Sequence, residues 1–124
     1  MERLLLVEDH RLFRDGLALL LEWRTGLSSV QVGSLAETKG ILEGANQKPA
    51  CVVVNLDLPE GEGIEVLKRL EGIPVLALSK SRNLKRQAEA MRLGANEVLG
   101  MTEPVEKILA AVERLIGRRS ITAF

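Results

Sequence analysis

Apolar residues in this chain fall into two alternating spacings. Short runs at 4–7, 51–54 and 75–78 are almost unbroken Leu, Val, Ala and Cys, and two less uniform runs lie at 30–33 and 97–99. Runs of that length predict strands, and the unbroken ones predict strands covered on both faces. Between them apolar residues recur at helical spacing. In the last such segment Val105, Ile108, Leu109, Val112, Leu115 and Ile116 form one stripe, with Glu106, Lys107, Glu113 and Arg114 outside it. Ser34-Leu35-Ala36-Glu37 reads as a capping box, and Thr102 is expected to cap the last helix. Gly26, Gly72, Gly94 and Gly117 each follow a helical segment, where a left-handed residue ends it. Strand and helix alternate five times. With right-handed crossovers this predicts an α/β fold: a three-layer, doubly wound, five-stranded parallel sheet in the order 2-1-3-4-5. The chain reads as one domain over 1–118, with 119–124 as a C-terminal tail or the start of a linker.

Composition narrows the classes. Of 124 residues, 46% are apolar and 27% charged, ordinary for a globular domain. Lys plus Arg and Asp plus Glu both number 17, so there is no basic footprint for nucleic acid or a membrane surface, and neither is expected as a direct partner. The single Cys51 excludes an internal disulfide and a Cys-rich metal site, and it is expected as a buried thiol. Met1-Glu2-Arg3 leads into only four apolar residues, too short for a signal peptide or a span, so a cytoplasmic location is expected. His10 is expected at the surface or as a cap, and Trp23 as partial cover for the core.

Sites in open α/β sheets lie at the carboxyl ends of the strands. Here those ends carry Glu8 and Asp9, Asn55 and Asp57, Ser79 and Lys80, and Gly100 and Met101. Two adjacent carboxylates repel each other, which favours either exposure to solvent or a shared hard cation such as Mg²⁺.

Four ordered stretches resemble the receiver domains of bacterial response regulators, particularly the NarL/LuxR type. Leu5-Leu6-Val7-Glu8-Asp9-His10-Arg11-Leu12-Phe13-Arg14-Asp15-Gly16-Leu17 resembles their opening. The run ending at Pro59, followed by Gly61 and Gly63, resembles the third strand and its loop, where Asp-Leu-x-(Met/Leu)-Pro stands. Ile73-Pro74-Val75-Leu76-Ala77-Leu78-Ser79 is similar to the fourth strand with its terminal hydroxyl, and Gly94-Ala95-Asn96-Glu97-Val98-Leu99 to the approach to the fifth. The resemblance covers residues 2–117 and implies a CheY-like, flavodoxin-like fold.

In that family an acid pair and an acceptor Asp hold Mg²⁺, the Asp takes a phosphoryl group from a histidine kinase, a Ser or Thr hydroxyl bonds it, and a Lys neutralises it. The resemblance places Glu8 and Asp9 at the acid pair and Ser79 at the hydroxyl. It places Asn55 at the acceptor, Met101 at the Lys and Val98 at an aromatic switch position. A carboxamide is a poor nucleophile and no anionic ligand, and Met101 brings no charge to a transferred phosphoryl. The expectation is therefore a pseudo-receiver, not an enzyme, acting as a phosphorylation-independent interaction module in two-component signalling or transcriptional regulation. It would require no cofactor, and Glu8 and Asp9 would bind Mg²⁺ weakly if at all. Two alternatives are an ordinary phosphorylatable receiver and a flavodoxin-like small-ligand binder, the latter disfavoured because no Gly-rich phosphate loop is present.

Asp57 as a displaced acceptor would spoil the register of Pro59. At the pocket mouth, Lys80 is expected to reach Asp57 or the acid pair and replace the missing charge. Asp57, Glu60, Glu62 and Glu65 form an acidic stretch, and Lys80, Arg82, Lys85, Arg86 and Arg92 a basic one; both read as solvated faces. Self-association or a protein partner is expected on the surface of residues 84–112, with Leu84 at one end and Val112 at the other. A DNA-binding domain outside this chain is a further expected partner.

Overall fold

The strand runs pair as their composition requires. In the computed structural model, which describes residues 2–80 and 82–120, β1 (Arg3–Val7), β2 (Ser28–Val32), β3 (Cys51–Asn55), β4 (Val75–Ser79) and β5 (Glu97–Gly100) form one parallel sheet. Their order is β2-β1-β3-β4-β5. Leu5 stands opposite Val30 and Val52, Val53 opposite Leu76, and Leu78 opposite Leu99. β3 and β4 are buried at every residue and β1 at all but its first, whereas β2 and β5 stay partly exposed. The three unbroken apolar runs are thus the three inner strands, because only there does a helix cover each face.

Alternate side chains along each strand feed two cores. Leu4, Leu6, Cys51, Val53, Leu76 and Leu78 pack against α1 (Arg11–Thr25) and α5 (Val105–Ser120), through Leu17, Leu21, Ile108 and Leu115. Leu5, Val7, Val52, Val54, Val75 and Ala77 face α2 (Leu35–Gly44), α3 (Glu62–Leu67) and α4 (Leu84–Arg92), through Ile41, Val66 and Ala90. Burial of each large side chain stabilises the fold by about 1.5–3 kcal/mol relative to exposure. Cys51 is fully buried, as its neighbours implied.

Helix ends follow local chemistry. The His10 ring caps α1 by accepting from the Phe13 N–H at 3.2 Å, and Gly26, at φ 75°, ends the helix with its N–H on the Glu22 carbonyl at 2.9 Å. Ser34 caps α2 by accepting from the Glu37 N–H at 3.1 Å. The returning bond falls one residue earlier than in a regular capping box, from the Gly33 N–H to Glu37 Oε1 at 2.8 Å. A third donor at that helix start, the Leu35 N–H, reaches Glu62 Oε1 at 2.9 Å. Glu62 therefore joins α3 to α2, where the sequence suggested a solvated acid.

Three expectations need correction. α5 begins at Val105, after Pro104, so Thr102 lies in the preceding turn and does not cap it. A fixed φ and no N–H suit proline to a helix start. The helix also continues through Gly117, where it was expected to end, to Ser120, because glycine permits a left-handed stop without compelling one; residues 121–124 of the expected tail lie outside the described residues. Trp23 is 80% exposed beside Leu12 and Leu19, on the outer face of α1, because Leu17, Ala18 and Leu21 already fill its inner stripe.

Candidate functional site

β1, β3 and β4 deliver Glu8, Asn55 and Ser79 to one edge of the sheet, and all three are buried. Asn55 links both sides of that edge. Its Nδ2 donates to Glu8 Oε2 at 3.0 Å, and its Oδ1 accepts from the Asp57 N–H at 2.8 Å. The reverse placement of the amide atoms would set an oxygen against the carboxylate and an N–H against an N–H, so the network itself fixes the orientation. Glu8 Oε2 also accepts from the His10 N–H at 3.0 Å, while Glu8 Oε1 is buried without a hydrogen-bond partner. Arg14 stands close, but its Nη1 donates to the Glu8 backbone carbonyl at 3.0 Å. Burial pushes the Glu8 carboxyl above the ordinary value of 4.5. The His10 N–H and the Asn55 amide oppose that push, and exposed Asp9 adds to it.

On the other side of Asn55, Asp57 is neutralised by a residue the sequence placed elsewhere. Its Oδ1 forms an ion pair with Arg86 Nη1 at 2.5 Å. Its Oδ2 accepts from the Lys80 N–H at 2.5 Å and, more weakly, from Ser79 Oγ at 3.4 Å. The expected compensation by the Lys80 ammonium is therefore corrected: Lys80 contributes its backbone N–H, and Arg86 supplies the charge. The first turn of α4 brings Arg86 back over the strand ends, with its own N–H held by Asn83 Oδ1 at 3.1 Å. The acidic and basic stretches, read as separate faces, thus meet at Asp57 and Arg86.

Two further positions shape this edge. A Cβ on Gly63 would lie 2.4 Å from the Asn55 carbonyl oxygen and 2.7 Å from both Leu56 Cα and Leu56 O. Only glycine lets the start of α3 press against the end of β3. Met101 donates its N–H to the Ser79 carbonyl at 2.9 Å, and its half-buried side chain packs with the α1 and α5 core. It joins the edge through its backbone and brings no charge there.

The oxygens facing the edge fit a divalent cation poorly. Asn55 Oδ1 and both Asp57 oxygens already have donors, leaving Glu8 Oε1 and the exposed Asp9 carboxylate. Among the described residues no group of three or more His, Cys, Asp or Glu is placed to hold a metal ion. The sequence missed Arg86, whose only signal was its place in the first turn after the fourth strand.

The response regulator receiver domain family matches residues 4–113, and the chain belongs to that family. It is 30% identical over 125 residues to the KDP operon transcriptional regulatory protein KdpE of Escherichia coli (strain K12), which covers 98% of this chain and 54% of that protein. It is also 30% identical over 120 residues to the acid tolerance regulatory protein ActR of Rhizobium meliloti (strain 1021), covering 94% of this chain and 60% of the relative. The chain spans about half the length of such curated relatives. A receiver domain from Clostridium thermocellum superposes with a TM-score of 0.84 at 20% identity, covering 98% of this chain and 99% of that one. A LuxR-family two-component response regulator from Aurantimonas superposes with 0.80 at 24% identity, covering 94% and 85%. The chain is thus a receiver domain of two-component response regulators. Among the described residues no helix is long and apolar enough to cross a membrane.

Proposed function

We propose that this receiver works without phosphate, as a non-catalytic interaction module in transcriptional two-component signalling in the cytoplasm, and that Asn55 stands where the family's acceptor Asp would. The observation that carries this reading is the commitment of Asn55 on both sides, to Glu8 and to the Asp57 N–H. A carboxamide so held offers neither a nucleophile nor an anionic metal ligand, and Met101 leaves a phosphoryl charge unpaired. Mg²⁺ binding by Glu8 and Asp9 is then weak, and no cofactor is needed. The NarL/LuxR-type assignment belongs to the same proposal, supported by the opening motif and by likeness to a LuxR-family structure.

Output would run through residues 84–112, where Leu84 and Met91 are exposed on α4 and Val105 on α5, towards a protein partner, a second copy or a DNA-binding domain outside this chain. Because Arg86 is occupied by Asp57, Arg92 is the cleaner probe: Arg92→Glu should weaken association in light scattering or a pull-down without touching the strand ends.

The rival reading, a phosphorylatable receiver, draws on Glu8 Oε1, a buried oxygen that a cation would satisfy. Incubation with Mg²⁺ and a small phosphodonor, followed by intact mass, separates the two. No stable adduct is expected on the unmodified chain, little on Asn55→Asp, and more on Asn55→Asp with Met101→Lys. Efficient labelling of the unmodified chain, at Asp57 or elsewhere on this edge, would overturn the proposal.

A further inference from the structure

The donors around Asp57 come from three separate places. Ser79 Oγ ends β4, the Lys80 N–H follows it, and the Arg86 guanidinium comes from the first turn of α4. A backbone N–H, a hydroxyl and a guanidinium on two oxygens form the donor set of an oxyanion site, and none of the three is specific to a carboxylate. Each component is held in place by something else. Ser79 is buried in the sheet, and the Arg86 N–H is capped by Asn83 Oδ1. The Asp57 N–H is tied to Asn55 Oδ1 at 2.8 Å, which turns its carboxylate towards β4. The ion pair is not sealed off, since 15% of the Asp57 side chain and 38% of the Arg86 side chain remain exposed.

We propose that the end of β4 and the first turn of α4 form an oxyanion cradle that the chain fills with its own Asp57 carboxylate. The internal anion fixes the first turn of α4 over the strand ends, so the 84–112 surface keeps one arrangement with no anion supplied from outside. This rests on the phosphate-independent reading above and gives it a physical device. Removing the carboxylate should leave a site of matching shape and charge, open to inorganic sulfate or phosphate.

The test uses the full chain with Asp57→Ala, alongside Asp57→Asn, which keeps the shape and one acceptor oxygen while losing the charge. Amide hydrogen exchange is followed at residues 84–87, with sulfate or phosphate compared against chloride at equal ionic strength. Exchange there is expected to be on the order of tenfold faster in Asp57→Ala, as for local opening of a turn that has lost its tether. Sulfate or phosphate should slow it again, and chloride should not. The unmodified protein should show no such dependence, because its site is filled. Asp57→Ala combined with Arg86→Ala should exchange fast and ignore sulfate, which separates binding in the cradle from the general stabilising action of that salt. Unchanged exchange at 84–87 in both Asp57 variants would overturn the proposal, as would an equal sulfate effect in the double variant. Failure here leaves the phosphodonor result untouched, and labelling of the unmodified chain would sink the functional reading while the exchange rates measured on the unlabelled protein and its variants stand.

Discussion

Two carboxylates flank Asn55 and meet opposite fates. Glu8 sits at the end of β1 with 5% of its surface exposed, both of its donors on one oxygen and none on the other. Asp57 lies two residues past the end of β3 with a guanidinium, a backbone N–H and a hydroxyl on its two oxygens. Even Arg14, whose guanidinium reaches Glu8, gives its Nη1 to the backbone carbonyl. Proximity in a cluster of acids therefore does not set their balance; what does is which element folds a cation over each one. α4 supplies Arg86 to one side, and the other keeps an under-paired acid whose proton affinity is raised by burial.

The largest effect should come from removing the frame that both acids share. Gly63→Ala puts a methyl into the Asn55 and Leu56 backbone and should cost roughly 3 kcal/mol, measured by urea denaturation, because backbone atoms rather than a flexible side chain must move. Asn55→Asp should follow. It replaces the donor to Glu8 with a second acid and should cost about 2 kcal/mol at neutral pH, with Mg²⁺ raising the melting temperature of this variant more than that of the parent.

Glu8→Gln should act in the opposite direction and more modestly. A carboxyl whose folded pKa is raised makes its full contribution below the ordinary value of 4.5, and that contribution is lost as pH rises through the folded value. Denaturation from pH 4 to 8 should show this decline in the parent and not in Glu8→Gln, leaving the variant more stable at neutral pH. Equal pH profiles would show that Glu8 is better balanced than its geometry indicates. The smallest effect belongs to a three-residue ion cluster remote from both acids. Arg24 bridges α1 to Glu106 at 2.8 Å and Glu113 at 3.2 Å on α5, and its hydrogen bond holds the Glu106 carboxyl below the usual range. Glu106 is exposed and Arg24 and Glu113 remain partly so, which leaves the charges screened, so Arg24→Ala should change the melting temperature only slightly at physiological salt.

Much of this was legible along the chain. Strands and helices were readable because a covered strand needs unbroken apolar residues and a surface helix needs a stripe, and both are local requirements. Arrival of Glu8, Asn55 and Ser79 at one edge followed once the strands were parallel and their ends aligned. Lys80 was a reasonable candidate for the missing charge by closeness in sequence, yet its ammonium was not the group that met Asp57. Arg86 lies 29 positions from Asp57 and reaches it only because α4 turns back over the sheet.

The sequence by itself therefore determined the strand order, the inner strands and a carboxamide, Asn55, in place of a carboxylate at the end of β3, since these rest on composition, spacing and residue identity. Tertiary structure alone decided that Arg86 meets Asp57, that Glu62 serves α2, that Gly63 must lack a side chain and that Trp23 faces outward. Each of those depends on a distance between residues remote in the chain or on which face of a helix the core has already filled. Those distances do not exist until the layers have packed.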